Sequence, residues 1–324
     1  MTRGFLLGKF LPPHEGHLAM CEAASAMVDE LTVLVCTLSR EPIPGERRAA
    51  WMRELLPRAR VRHLDEDVPQ EPAEHRDFWT IWRGLCRRFH PEPVDLVFGS
   101  EDYVLRLAAE LEAEPVLIDP ERMGLPVSGS AIRADPPAHW SRVPGPVRSW
   151  FQRRVTLFGA ESTGKTTLAR RLAASLGTLC APEHGRAHDR ARGERAWAEA
   201  DFDTIAARHV AIREAVARRA GPVLVEDTDP LLTAVWQEML LGTRPGWADA
   251  APLADLYLLC GADAPFVQDG TRHFGAAEAR VEFAKRCEAI LAERGARVVR
   301  LRGSWAEREA TALAAIRDLA QNVR

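Results

Sequence analysis

Hydrophobic residues in this chain form short, nearly continuous runs separated by stretches of helical periodicity. Runs that are apolar on both faces are typical of parallel strands covered by helices on both sides. In the first half these runs comprise residues 5–7, 31–36, 61–64, 94–98 and 115–118. Helical patterns separate them at residues 46–56, 78–89 and 103–111. The alternation predicts a doubly wound α/β sheet, in which ligands lie at the carboxyl ends of the strands.

The second half repeats this alternation. Its apolar runs comprise residues 155–158, 222–226, 256–260 and 297–301, and its helical patterns residues 168–176 and 305–322. Prolines at 136, 137, 144 and 146 interrupt regular structure between the halves. A length of 324 residues also suits two domains rather than one. We therefore predict two doubly wound α/β domains, residues 1–148 and 149–324.

Composition narrows the class of protein. Hydrophobic residues make up 46% of the chain and charged residues 27%, with a net charge of −3, which gives no indication of a nucleic-acid binder. No apolar run is long enough for a membrane span or a signal peptide. The six cysteines form no C-x-x-C pair, which indicates reduced thiols and no zinc site. These features predict a cytoplasmic protein with neither nucleic-acid nor membrane partners.

A phosphate-binding loop follows the first apolar run of the second half. Residues 159–167 (GAESTGKTT) match G-x-x-x-x-G-K-[ST] between a predicted strand and a predicted helix. In such a loop, backbone N–H groups and the helix N-terminus bind phosphate, Lys165 reaches the β- and γ-phosphates of ATP, and Thr166 is a ligand of Mg²⁺. The remaining predicted nucleotide-binding residues of the loop are Gly159, Glu161, Ser162, Thr163, Gly164 and Thr167.

Lysine usage singles out a second position. The chain contains only Lys9, Lys165 and Lys285, and every other basic residue apart from histidine is arginine. A compact ammonium on a flexible stem is not interchangeable with a planar guanidinium, so a lysine kept in such a chain is a candidate for phosphate chemistry. Lys285, in a helical stretch with neighbouring arginines, is better explained as a solvated surface residue.

Lys9 belongs to residues 8–17 (GKFLPPHEGH), which follow the first predicted strand. His14 and His17 stand three residues apart at the start of a predicted helix, and therefore share one face of it. Together with Lys9 and the helix N-terminus they form a pocket suited to polyphosphate.

This segment resembles the H-x-G-H signature of the nucleotidylyltransferase superfamily, and residues 128–133 (SGSAIR) resemble its second signature, S-x-[ST]-x-[IV]-R. The resemblance implies adenylyl transfer, in which a phosphate attacks the α-phosphorus of ATP and pyrophosphate leaves. It assigns His14 and His17 to the ATP phosphates, and Lys9 and Arg133 to the departing pyrophosphate. Further nucleotide contacts fall to Gly8, Phe10, Ser128 and Ser130.

The sequence specifies the acceptor of the adenylyl group less clearly. Trp79 and Trp82 lie in an aromatic cluster that could stack on a planar nicotinamide ring, although a core-facing helix explains them equally well.

Acidic residues follow the apolar run at 222–226. Asp227 is the first candidate for holding Mg²⁺, and Asp229 is the second. Asp229 precedes Pro230, so it could instead cap a helix. Either aspartate, or Glu183, could accept the proton of a substrate hydroxyl. Arg272 follows an Asp-Gly turn and could stabilise the transferred phosphoryl group from a lid, or belong to an ordinary surface loop.

The two halves together resemble the NadR-like bifunctional proteins of NAD synthesis. The resemblance is carried by residues 161–168 (ESTGKTTL), 182–186 (PEHGR) and 227–230 (DTDP), after an H-x-G-H domain. It implies a nicotinamide mononucleotide adenylyltransferase joined to a ribosylnicotinamide kinase, with ATP and Mg²⁺ as cofactors. Glu183, Arg186 and Asp229 are then the expected riboside contacts.

Two departures from the family pattern stand out. The chain starts at the first catalytic strand, without the helix-turn-helix of some members, so DNA binding is not expected. His184 and His188 stand where the family often has tyrosines.

Two alternatives keep both folds. The acceptor could be a different riboside or phosphate compound, or the chain could be a regulator that senses ATP and NAD without turnover. The sequence leaves open whether the chain forms a homo-oligomer.

Overall fold

The computed structural model describes residues 1–121, 123–261 and 277–321. Contacts within the chain divide it into two compact units, Met1–Arg148 and Ser149–Arg324.

The first unit is built on a parallel sheet with the strand order β3-β2-β1-β4-β5. Its strands are β1 (Arg3–Gly8), β2 (Glu30–Thr37), β3 (Arg60–Asp65), β4 (Leu96–Gly99) and β5 (Glu114–Leu117). The helices are α1 (Glu15–Met27), α2 (Gly45–Leu55), α3 (Phe78–Phe89), α4 (Tyr103–Leu111) and α5 (Gly129–Ala134), and α6 (Gly145–Phe151) continues from the first unit into the second. Short 3-10 turns lie at Pro72–Glu74 and Pro137–Arg142.

Helices cover both faces of this sheet because both faces of its strands are apolar. Phe5 of β1 packs into a core with Phe78 and Leu85 of α3, while its neighbour Leu6 packs into a second core with Met52 of α2. Both β1 residues are fully buried. The sheet order reverses on either side of β1, so the carboxyl end of β1 is where a ligand of such a fold binds.

The second unit has the strand order β10-β9-β6-β8-β7, again all parallel. Its strands are β6 (Arg153–Phe158), β7 (Cys180–Ala181), β8 (Val223–Asp227), β9 (Leu256–Cys260) and β10 (Val298–Leu301). Its helices are α7 (Lys165–Ser175), α8 (Gly185–Arg192), α9 (Glu199–Ala217), α10 (Pro230–Leu241), α11 (Ala277–Glu293) and α12 (Trp305–Gln321). A 3-10 turn lies at Gly246–Asp249.

Two cores again flank the central strand. Leu157 of β6 packs with Leu168 and Leu172 of α7, and Phe158 packs on the opposite face with Tyr257 and the helices α10 and α11. The prediction of two doubly wound α/β domains is therefore confirmed. The hydrophobic pattern did not predict β7, α8, α9 or α10, and these elements surround the site of this unit.

Three further features of the structure bear on the class of protein that the composition predicts. In the part of the chain that is described, no helix is both long and apolar enough to cross a membrane. All six cysteines are free thiols, and only Cys180 among them is not fully buried. The described residues contain no group of three or more metal-binding side chains.

Candidate active sites

The site of the first unit begins where β1 gives way to α1. His14 is the N-cap of α1, and its Nδ1 accepts a hydrogen bond from the backbone N–H of His17 at 3.3 Å. The two imidazole rings stack with their centroids 3.6 Å apart, and the ring of Phe10 meets His17 edge-on at 4.9 Å. Because Nδ1 of His14 accepts this hydrogen bond, Nε2 is the ring nitrogen left to donate to a ligand.

The glycine between the histidines is required by close packing. A Cβ at Gly16 would lie 3.1 Å from Nδ1 of His14 and 3.3 Å from a methyl group of Val127. A side chain here would therefore displace the His14 ring or the segment that carries the second signature.

The second signature packs directly on the first. Ser128 is the N-cap of α5, and its Oγ accepts a hydrogen bond from the N–H of Ala131 at 3.2 Å. Arg133 donates to the carbonyl oxygen of Leu11, and Gly129 lies so close to the same carbonyl that it leaves no room for a Cβ. The two motifs, far apart in sequence, therefore form one structure.

Lys9 has charged neighbours that sequence reasoning missed. Its Nζ lies 3.4 Å from Oε1 of Glu41, and its carbonyl oxygen accepts a hydrogen bond of 2.6 Å from Nη1 of Arg48. Arg48 also donates to Oε2 of Glu41 at 2.5 Å. No motif contains Glu41 or Arg48, and only the placement of α2 and of the loop that precedes it brings them to Lys9.

A solvent-open cleft of about 2610 Å³ joins these groups. Trp82 lines it but is only 7% exposed, and its Nε1 donates to the carbonyl of Pro69 at 2.9 Å. Trp82 thus belongs to the core as well as to the cleft, whereas Trp79 is half-buried. The sequence-predicted residues that line this cleft are Gly8, Lys9, Phe10, His14, His17, Trp79, Trp82, Ser128, Ser130 and Arg133.

The site of the second unit is centred on the loop between β6 and α7. Nζ of Lys165 donates to the carbonyl oxygens of Gly159 at 2.9 Å and Ala160 at 2.7 Å. Thr163 is buried, and its hydroxyl donates to the carbonyl of Ala160 at 2.9 Å. Gly164 is the N-cap of α7, so Thr166 and Thr167 lie in its first turn. The carbonyl of Thr163 accepts a further hydrogen bond from the buried Arg308 of α12 at 3.1 Å, a support that no motif indicated.

Asp227 ends β8, next to the central strand β6. It is 3% exposed, and its Oδ1 is buried without a hydrogen-bond partner among the described residues. An unsatisfied carboxylate oxygen beside a phosphate-binding loop has the donor chemistry that Mg²⁺ requires.

Glu183 lies close to the loop, since it interacts electrostatically with Lys165 and Glu161 as well as with Asp227. Burial, followed by the charge of Asp227, raises the pKa of Glu183 above that of an ordinary glutamate. Nε of Arg186 lies 3.3 Å from Oε2 of Glu183, and its positive charge opposes this rise in the pKa.

A cavity with about 780 Å³ of empty space opens between the loop and the helices α8 to α10. Aromatic residues form much of its wall, and Trp197 stacks on Phe202 with centroids 5.1 Å apart. Among the sequence-predicted residues, Glu161, Ser162, Lys165, Glu183 and Arg186 line it. Sequence reasoning missed Trp197, Phe202, His209 and Trp236, because neither the loop before α9 nor the helices α9 and α10 carried a recognised motif.

Two histidines lie at the start of α8, beside this cavity. His188 bonds through Nε2 to Asp201 at 2.9 Å, and its ring stacks on Trp197 with a centroid distance of 6.2 Å. His184 precedes α8 as its N-cap residue.

The Asp229 side chain accepts hydrogen bonds from other residues of the protein. It caps α10 by accepting a hydrogen bond from Leu232 N at 3.3 Å, and its Oδ2 accepts another from the Tyr257 hydroxyl at 2.6 Å. It is 1% exposed, and burial raises its pKa to about 6. This placement favours the capping role over contact with a riboside. Arg272 lies outside the described residues.

Comparisons with known proteins follow the same division of the chain. The cytidylyltransferase-like family model matches residues 5–135, and the AAA domain model matches residues 154–308. The chain is 29% identical to the trifunctional NAD biosynthesis/regulator protein NadR of Escherichia coli (strain K12), over 93% of this chain and 78% of that protein.

Solved structures share both domains. A crystal structure of NadR protein in complex with NAD and AMP-PNP is 25% identical and superposes with a TM-score of 0.75, covering 99% of this chain and 96% of the other. A NadR structure in complex with NR has a TM-score of 0.78 at 23% identity, covers 100% and 97% of the two chains, and shows the shared fold.

Proposed function

Because the chain is a homologue of the NadR proteins along nearly its whole length, we propose that it is a bifunctional enzyme of NAD biosynthesis. The first unit transfers an adenylyl group from ATP to nicotinamide mononucleotide. The second unit phosphorylates nicotinamide riboside with ATP. The observation that carries this proposal is that one homologous chain holds both the paired H-x-G-H and S-x-S-x-I-R motifs, in contact, and a complete phosphate-binding loop.

In the adenylyl transfer, a phosphate oxygen of nicotinamide mononucleotide attacks the α-phosphorus of ATP. The bond from that phosphorus to the bridging oxygen breaks, and pyrophosphate leaves as NAD forms. The reaction needs no covalent enzyme intermediate, so alignment and charge stabilisation are the work of the protein. The stacked rings of His14 and His17 donate to the ATP phosphates, and Lys9 and Arg133 stabilise the charge that develops on pyrophosphate. Trp79 offers an aromatic face to the nicotinamide ring.

In the kinase reaction, the 5′-hydroxyl of the riboside attacks the γ-phosphorus of ATP and ADP leaves. Lys165 moves from the loop carbonyls to the β- and γ-phosphates. Glu183 accepts the hydroxyl proton, since a glutamate of raised pKa is matched to that transfer. Trp197 and Phe202 supply the aromatic surface for the nicotinamide ring.

Mg²⁺ would be held by the Thr166 hydroxyl and the free Oδ1 of Asp227, with ATP phosphate oxygens completing its shell. It neutralises charge on the phosphates when bound. The free thiols of the six cysteines fit the reducing cytoplasm, where we propose that the enzyme works.

Product analysis after incubation with ATP, Mg²⁺ and nicotinamide riboside tests the proposal. NAD, ADP and pyrophosphate together establish both activities. Conversion of nicotinamide mononucleotide but not of the riboside would reassign only the kinase substrate. No reaction with either compound would contradict the proposal, and salt-sensitive binding of duplex DNA would then favour the regulator.

A further inference from the structure

Arg48 is a charged side chain with no exposed surface in the first unit, and no motif accounts for it. Burying a guanidinium is costly unless its partners are well placed. Its Nη1 and Nη2 are satisfied by the Lys9 carbonyl and by Glu41, but its Nε makes no hydrogen bond among the described residues. A group buried at this cost and incompletely satisfied is poorly explained by stability alone.

Glu41 connects this buried charge to the cleft. Its side chain is 8% exposed, and its Oε2 accepts hydrogen bonds from Leu38 N at 3.0 Å and from Arg48 at 2.5 Å. Burial alone would raise the pKa of Glu41, but these hydrogen bonds, together with the positive charges of Arg48 and Lys9, outweigh it and hold the pKa below its usual range. Oε1 is therefore a fixed negative charge, and it lies 3.4 Å from Nζ of Lys9.

Lys9 is the flexible member of this group. Its side chain is 49% exposed in a wide cleft, where a lysine has many rotamers available. Its backbone is held by Arg48 and its ammonium is attracted by Glu41, so one buried arginine restrains both ends of the residue.

We propose that Arg48 and Glu41 are positioning residues for Lys9, which they hold at the path of the departing pyrophosphate. The inference rests on the proposed adenylyl transfer in the first unit. It assigns a role in the reaction to two residues that do not themselves line the cleft.

The test compares Glu41→Gln, Lys9→Ala and the double variant, with kcat and KM for ATP measured in the adenylyl transfer. Glu41→Gln preserves the shape of the side chain and removes its charge. We expect kcat/KM to fall between roughly tenfold and a hundredfold, the cost of misplacing a catalytic group. In the Lys9→Ala background the same substitution should have no further effect, because the residue that it positions is absent.

Controls separate positioning from folding. Chemical denaturation of each variant should show that the first unit remains folded, and riboside phosphorylation by the second unit should be unchanged. The exposed pair of Arg53 and Glu46 on α2, 2.9 Å apart, supplies the matched variants Arg53→Met and Glu46→Gln, which should leave adenylyl transfer as in the wild type.

Wild-type activity in Glu41→Gln, or an equal loss in the presence and absence of Lys9, would overturn the inference. A second variant, Arg48→Met, should reproduce the Glu41→Gln phenotype when chemical denaturation shows that its first unit is folded. If the wild type itself lacks adenylyl transfer, the proposed function fails, and this inference fails with it.

Discussion

The His14 ring that caps α1 is also the ring that stacks on His17. Its Nδ1 accepts from His17 N at 3.3 Å, while the two ring centroids lie 3.6 Å apart. One side chain therefore caps the start of a helix and lines the cleft, so its structural and chemical roles are coupled.

Substitution of the two histidines should separate these roles. His17→Ala should lower kcat/KM of the adenylyl transfer by roughly a hundredfold or more, as loss of one phosphate-directed donor does. His14→Ala should lower activity similarly and also destabilise the protein by about 1 kcal/mol, because α1 loses its cap. His14→Asn should recover the stability but not the activity. Steady-state kinetics and chemical denaturation measure the two effects, and full adenylyl transfer by His17→Ala would place the site elsewhere.

Gly16→Ala should impair the adenylyl transfer without touching a reacting group. Its Cβ would press on Nδ1 of His14 at 3.1 Å, so the ring must shift. We expect roughly a tenfold to hundredfold loss in kcat/KM, measured by NAD formation. Gly84→Ala is the matched control, since a Cβ there meets no atom within 4 Å and Gly84 lies inside α3. That control should stabilise the protein by about 0.5–1 kcal/mol and leave activity intact.

Lys165→Met should reduce riboside phosphorylation by roughly a thousandfold, because the transferred phosphoryl group loses its cation. Adenylyl transfer should be retained in the same sample. Lys285→Met removes a lysine of the same chain that is exposed on α11, and it should change neither rate. Loss of both activities in a folded Lys165→Met protein would contradict the assignment of separate sites.

As pH is lowered, the kinase should lose activity at a higher pH than it would if its catalytic base were a glutamate of ordinary pKa. A raised pKa means that Glu183 keeps its proton to higher pH, and a protonated carboxyl cannot accept the hydroxyl proton. As pH falls, kcat/KM should therefore decline with a midpoint above 4.5. Glu183→Gln should be slow throughout and lack this decline. Persistence of the acidic limb in that variant would assign the base to another residue.

Asp229 should make the second unit less stable as pH rises. Its folded pKa of about 6 lies above the ordinary value of 3.8. Its stabilising contribution is therefore fully present below pH 3.8 and is lost as pH rises through 6. The shift corresponds to about 3 kcal/mol.

Asp229→Asn tests the direction of this pH dependence of stability, since asparagine also caps helices but does not titrate. Between pH 4 and 7 the variant should gain up to about 3 kcal/mol relative to the wild type in chemical denaturation. A stability difference between the two proteins that is independent of pH would contradict the expectation.

Much of the fold was predictable because the local pattern of hydrophobic and polar residues indicates many of its strands and helices. The predicted bounds of α3, α4 and β9 agree with the structure. In contrast, α9 was not predicted although it spans 19 residues. It buries Asp201, His209 and Arg213 together with Phe202, so its inward face is not a clean apolar stripe.

The sequence by itself determined where the phosphate-binding loop and the H-x-G-H and S-x-S-x-I-R segments lie in the chain. These depend on the conformation of a few consecutive residues and on the helix start that follows them, so the necessary residue types stand side by side. Only the tertiary structure decided which side chains surround them. Arg48 and Lys9 are 39 residues apart, and they meet because β1 and β2 pair and α2 packs against β2 and β3. A contact between residues on separate elements depends on how those elements pack, and the local pattern of either segment does not contain that information.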